Sequence, residues 1–115
     1  MDAVFNNSVP IYLQIVSEIK KQIISGKLVP GERIPSVREL ALTYKVNPNT
    51  MQKALIELEE NGLIKTERTN GKFVTEDEKI INKIKNDYAD NLTQNYLSEM
   101  ISLGITKQEI KERIK

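Results

Sequence analysis

The chain of 115 residues has no cysteine, no histidine and no tryptophan, and these absences remove more functions than any one motif adds. Without cysteine neither a disulfide nor a thiolate metal site can form, and without histidine the usual neutral-pH base and commonest metal ligand are missing. A Ser-Lys pair is formally possible but nothing positions one, so the chain reads as a non-enzyme with no cofactor and no metal. No apolar run approaches the roughly 20 residues of a membrane span. The start Met1-Asp2-Ala3-Val4-Phe5 lacks the basic and apolar segments of a secretion signal. The expectation is a cytoplasmic protein with no membrane partner. A strongly charged surface is missing too, since the net charge is +1. The small excess lies early: residues 1–75 carry ten Lys/Arg against eight Asp/Glu, and residues 76–115 seven against eight.

What is present is an ordered series of helix signals. Pro10 to Ser25 reads as a helix, opened by Pro10 and closed by Gly26, with Ile11, Ile15, Ile19 and Ile23 as its core stripe. Pro30-Gly31 makes a turn into Arg33-Ile34-Pro35, and Ser36-Val37-Arg38-Glu39 is a capping box that starts a second, short helix with Val37, Leu40 and Ala41 facing inward. Tyr44-Lys45-Val46 leads to a third helix, capped by Asn47, with Pro48 at its first position and Gly62 beyond its end. Met51, Ala54, Leu55 and Leu58 form its buried stripe, and Asn49, Thr50, Gln52 and Lys53 are polar groups of the kind that base edges and phosphates accept in a major groove. Two helices joined by so short a link form a helix-turn-helix.

Leu63–Arg68 and Lys72–Val74 follow as strand candidates around Thr69-Asn70-Gly71, a strong hairpin signal. Three helices followed by a hairpin give the order of a winged helix-turn-helix, mainly α with a small β wing. The tip, with Arg68, Asn70, Gly71 and Lys72, is small, basic and free of bulk, as suits a loop that touches a phosphate backbone or a minor groove. From Thr75-Glu76-Asp77-Glu78, read as a second capping box, the pattern changes. Ile80, Ile84, Tyr88, Leu92, Tyr96 and Met100 recur in steps of four, a stripe that must be covered. Asp90, Asn91 and Thr93 are poor helix formers, so this segment is one long helix or two shorter ones. Thr106-Lys107-Gln108-Glu109 is a third capping box, with Ile105 and Ile110 at staple positions, and it opens a last helix.

These residues together resemble the GntR family of bacterial transcription regulators over nearly the whole chain. The resemblance is carried by Pro10-Ile11-Tyr12, Leu28-Val29-Pro30-Gly31-Glu32-Arg33-Ile34-Pro35-Ser36-Val37-Arg38-Glu39-Leu40-Ala41, Val46-Asn47-Pro48-Asn49-Thr50 and Glu57-Leu58-Glu59-Glu60-Asn61-Gly62-Leu63-Ile64. The tail around Leu103-Gly104-Ile105-Thr106 is similar to the YtrA-like subfamily, whose members dimerise through a couple of helices. The resemblance implies a DNA-binding domain over residues 1–75 and a helical dimerisation region over 76–115. It also implies a homodimeric repressor on a palindromic double-stranded operator, commonly that of its own operon and neighbouring transporter genes. By the same resemblance Arg38 matches a DNA-contacting arginine, Asn47, Asn49, Thr50 and Gln52 take the contacting positions of the recognition helix, and Gly71 matches the wing glycine. Relatives often have arginine at the positions of Pro48 and Gln52, so no operator sequence carries over.

Each residue also has a plainer reading. Arg38 could be a solvated helix residue beside Glu32 or Glu39, and Gln52 and Lys53 exchange faces if the helix rotates by one residue. Lys65, Arg68 and Lys72 could simply decorate an exposed hairpin and discourage edge pairing. Tyr88, Leu92, Tyr96 and Met100 could line a ligand pocket rather than a dimer interface with Ile80 and Ile84, and Asp87, Asp90 and Glu99 could hold a hard cation. The near-neutral charge also leaves room for a protein-interaction module in which the third helix docks on another protein. No effector is readable from the residues.

Overall fold

The computed structural model describes residues 8–114. The stretch Met1–Phe5, read above for its lack of a secretion signal, lies outside the described residues. No helix among those described is long and apolar enough to cross a membrane.

Eight elements follow in order: α1 (Ile11–Ile24), β1 (Arg33–Ile34), α2 (Val37–Tyr44), α3 (Pro48–Glu60), β2 (Ile64–Glu67), β3 (Gly71–Val74), α4 (Glu78–Ser102) and α5 (Lys107–Arg113). The chain divides into two compact units that meet between Asn82 and Lys83, inside α4.

The first unit is built around α3, against which α1, α2 and β2 pack. Met51, Ala54, Leu55 and Leu58 are fully buried, as their spacing predicts. Burying one Leu of this kind contributes about 1.5–3 kcal/mol. From α1 the core receives Ile15, Val16, Ile19 and Ile23, whereas Ile11 is 45% exposed. A stripe in strict steps of four drifts by about 40° per step around a helix of 3.6 residues per turn, so Ile11 has rotated away from Ile23 and out of the core. On α2, Leu40 and Ala41 are buried and Val37 is half-buried.

The sheet is larger than the expected hairpin. Arg33-Ile34 forms a third strand on the outer side of β3, giving the antiparallel order β1-β3-β2 with Arg33 opposite Phe73 and Ile34 opposite Lys72. Gly31 N–H donates to Val74 O at 2.9 Å and Val74 N–H to Glu32 O at 2.9 Å, so the Pro30-Gly31 turn feeds directly into the pairing. In the hairpin Ile64 opposes Val74 and Glu67 opposes Gly71, leaving Arg68, Thr69 and Asn70 as the turn. Gly71 has φ +103, a conformation that L side chains rarely adopt.

α4 starts differently from expectation. Thr75 is not its cap: its N–H donates to Leu63 O, which keeps it in register with the sheet, and its hydroxyl accepts from Asp77 N–H. Asp77 instead accepts from Lys79 N–H through its side chain, and helix hydrogen bonds begin at its carbonyl. The helix is continuous from Glu78 to Ser102, which decides between one helix and two. Its one buried residue is Ile81, outside the predicted stripe, while Ile80 lies against Gly62, 3.3 Å from where a β-carbon on that glycine would sit.

In the second unit Leu92, Tyr96, Ile101 and Leu103 are exposed and Ile110 is buried. Its capping box is complete: Glu109 N–H donates to Thr106 Oγ1 at 3.2 Å and Thr106 N–H to Glu109 Oε1 at 3.1 Å. These bonds hold the Glu109 carboxyl below its usual pKa.

Candidate nucleic-acid interface

The helix-turn-helix is assembled by two caps and a tight corner. At the start of α2, Glu39 N–H donates to Ser36 Oγ at 3.1 Å and Ser36 N–H to Glu39 Oε1 at 3.2 Å. The same two bonds, helped by the charge of Arg33, hold the Glu39 carboxyl below its usual pKa. α2 ends on Lys45 at φ 56, the one non-glycine residue with positive φ among those described. A left-handed residue with a β-carbon costs roughly 1–2 kcal/mol, and here it turns the chain so that Val46 N–H reaches Ala41 O at 3.0 Å. Three residues after the end of α2, α3 begins: Asn47 accepts from Asn49 N–H at 2.7 Å and Pro48 takes the first helical position.

This geometry presents a polar end of α3. Asn49, Gln52 and Lys53 are exposed, Thr50 is half-buried on the flank, and Arg38 is exposed on the first turn of α2. Residues three and four apart share a helix face, so Asn49, Gln52, Lys53 and Ile56 lie together, opposite the buried Met51, Ala54, Leu55 and Leu58. Ile56 is 43% exposed and was not expected there. Lys53 has a partner of its own, its ammonium standing 4.0 Å from the centre of the Tyr12 ring on α1. Such a cation–π contact is worth about 0.5–1 kcal/mol at an exposed site, so it orients the side chain without fixing it.

The wing residues divide in two. Asn70 is exposed at the tip, with its amide donating to Glu67 Oε2 at 3.3 Å, and Gly71 is half-buried beside it. Lys72 points the other way: its ammonium is paired with Glu59 of α3 and donates to Thr66 Oγ1 at 3.0 Å, while the Thr66 hydroxyl donates to Glu59 Oε1 at 2.6 Å. Partial burial pushes the Glu59 carboxyl up, but the two hydrogen bonds and the ammonium charge together outweigh it and hold the pKa below its usual value.

Of the α4 stripe, Ile84, Tyr88 and Met100 are half-buried, Leu92 is 58% and Tyr96 39% exposed, and Ile80 is engaged with Gly62. Steps of four drift by about 40° each, so Ile80 and Met100 do not share one face of the helix. Among the described residues no group of acidic side chains is arranged to hold a metal ion.

The family model of bacterial regulatory proteins of the gntR family matches residues 11–74, from the start of α1 to the end of β3. The chain is 40% identical over all its 115 residues to YhcF, a helix-turn-helix-type transcriptional regulator of Bacillus subtilis, covering 95% of that protein. A solved GntR family transcriptional regulator from Listeria monocytogenes superposes with a TM-score of 0.90 at 46% identity, covering 96% of each chain. The solved AraR(DBD) in complex with operator ORX1 matches 65% of this chain and 96% of its own, with a TM-score of 0.61 at 30% identity. Further relatives include proteins named as repressors. A winged helix-turn-helix with this capped recognition helix, matched along its length by such proteins, belongs to the GntR family of DNA-binding transcription regulators, and it is not an enzyme.

Proposed function

We propose that the protein is a cytoplasmic, homodimeric repressor that binds an inverted-repeat operator, and that it controls its own operon together with transporter genes. The observation that carries this reading is the division of labour along the chain. The described residues up to Asn82 present a polar helix end on a core, while those from Lys83 to Ile114 present apolar side chains, Leu92 and Tyr96 foremost, that are left exposed. Two copies joined along α4 bury that surface and place two recognition helices under two-fold symmetry. Each α3 then enters a major groove. Asn49, Thr50 and Gln52 face base edges, Arg38 reaches guanine or phosphate from α2, and Asn47 holds the helix end in shape. Asn70 and Gly71 bring the wing close to the adjoining backbone. Lys53 contributes by leaving the Tyr12 ring, an exchange that a phosphate makes favourable at low salt.

Repression follows from occupancy, because a dimer covering two half-sites excludes other proteins from the same stretch of DNA. Half-site centres stand about ten base pairs apart or slightly more. Footprinting on the region upstream of the gene tests this together with sedimentation of the free protein. The expected result is a dimer protecting a two-fold symmetric site, with affinity falling steeply as salt rises. A monomer, or a footprint without symmetry, contradicts it.

A further inference from the structure

Strand alternation sorts the basic residues on the strands of the wing, Lys65 and Lys72, because successive side chains on a strand point to opposite faces, while Arg68 is exposed in the turn between them. Lys72 shares its face with Val74, and its cross-strand partners are Ile34 and Thr66. Val74, Ile34 and Ile64 on that face are 1%, 4% and 3% exposed, so it is the face turned toward α3, and Glu59 takes the Lys72 ammonium there. Lys72 is therefore the polar continuation of the core face at the end of the sheet. Arg33, Phe73 and Lys65 form a row across the three strands on the opposite face, together with Gly71. Arg33 is exposed, and no ion pair holds its guanidinium among the described residues. It lies across the base of the wing tip: a β-carbon on Gly71 would stand 3.3 Å from Arg33 Nε and 3.4 Å from Nη2. The missing side chain of Gly71 is the space that the guanidinium uses.

We propose that the wing meets the phosphate backbone through Arg33, a residue outside the hairpin, and that Lys72 is a positioning residue, a strut held by Glu59 that sets the hairpin on α3. The inference rests on the reading that the wing flanks bound DNA. A backbone that approaches Gly71 closely comes within reach of the guanidinium lying over it, and the planar fork of arginine matches two phosphate oxygens at once. Charge at an edge strand often serves only to discourage pairing. What sets Arg33 apart is its position over the glycine. Glu39 stands near enough for its carboxyl to feel the Arg33 charge, and a phosphate replaces that weak attraction with a direct one. Lys72 reaches DNA only by leaving two partners, Glu59 and Thr66, and leaving a carboxylate unpaired behind the wing.

The experiment is a salt titration of operator binding by the full chain, comparing wild type with Arg33→Met and Lys72→Met, each checked by thermal unfolding. Each lost phosphate contact lowers the slope of log K against log salt by about 0.9, hence by about 1.8 for a two-fold dimer. Arg33→Met is expected to lower the slope by that amount with an unchanged melting temperature. Lys72→Met is expected to keep the slope and melt earlier, and Glu59→Gln to melt earlier too, with the two losses less than additive in the double variant. Should Lys72→Met not fold, Lys72→Gln takes its place in the titration. An unchanged slope in Arg33→Met, or a drop in the Lys72 variant as large as that predicted for Arg33, overturns the assignment. Absence of salt-dependent binding in the wild type would instead overturn the DNA-bound wing on which it rests.

Discussion

The two units of the chain solve the problem of covering apolar surface in opposite ways. In the winged unit, Ile15, Met51, Leu55, Leu58 and Leu63 reach zero exposure around α3, and the apolar residues left exposed, Leu42 at 73% and Val29 at 50% among them, lie outside that core. In the unit from Lys83 onward, Ile110 is the one buried apolar residue among those described, and Leu92, Ile101 and Leu103 stay 49–73% exposed. Both segments carry isoleucine and leucine at helical spacing and both have a complete capping box, Ser36 with Glu39 and Thr106 with Glu109. The comparison teaches that caps and periodicity specify helices, whereas a closed core also needs a second and third element within reach. One unit has them in its own chain, and the other is suited to take them from a second copy.

The contrast is broken most strongly at its centre. Leu55→Ala removes a fully buried side chain from α3 and is expected to cost 2–5 kcal/mol, on the order of what a small domain has to lose. Leu92→Ala removes a 58% exposed one and should alter the unfolding of a monomer by less than about 0.5 kcal/mol. Urea denaturation of both variants checks the pair. Similar losses that do not change with protein concentration would mean that the second unit closes its own core after all, whereas a loss that grows on dilution belongs to the interface between two copies.

Leu92→Asp addresses the other half of the contrast. It should leave the secondary structure intact by circular dichroism and give monomers in sedimentation. An unchanged dimer would move the interface away from Ile84, Tyr88, Leu92 and Tyr96. On the reading side, Arg38→Ala is expected to weaken binding by about 1–3 kcal/mol on all related operators, and Gln52→Ala chiefly to relax base preference at one position. Competition assays with operator variants separate these outcomes, and equal effects of both on random and specific DNA would remove the assigned roles.

The capping boxes of the fold, the Asn47 cap and the α3 stripe were all legible because each is written within a few neighbouring residues. β1 was not, since two residues carry no periodicity and its partner on β3 lies about forty positions away. The inward side of Lys72 was hidden for the same reason: its face becomes known only once the register pairs it with Ile34 and Thr66. Arg33 could have been found by asking which cation shares a sheet face with the wing glycine, a question that needs the third strand first. The α4 stripe was legible as apolar spacing, but strict steps of four spiral around a helix. That is why Ile80 lies against Gly62 in the first unit and Ile81 became the buried residue of α4.

The smallest expected effect concerns acid. Glu59 has a folded-state pKa below its ordinary value, so its contribution is present above the unfolded-state pKa and is lost as pH falls through the folded one. Wild type should therefore lose stability below the ordinary carboxylate range, and Glu59→Gln should start lower and decline less over the same window. Glu109 in the second unit, also depressed but fully exposed, should contribute a weaker dependence of the same sign. Thermal melts across acidic pH check both, and parallel curves for wild type and Glu59→Gln would remove the Glu59–Lys72 pair from the account.

The measurement that bears most directly on the whole is selection of bound DNA from a random double-stranded library by the purified full chain. Enrichment of an inverted repeat, its half-sites about one helical turn apart, is the result predicted for two recognition helices fixed by paired C-terminal units. Enrichment of a single unrepeated half-site, or no enrichment by folded protein, would contradict it.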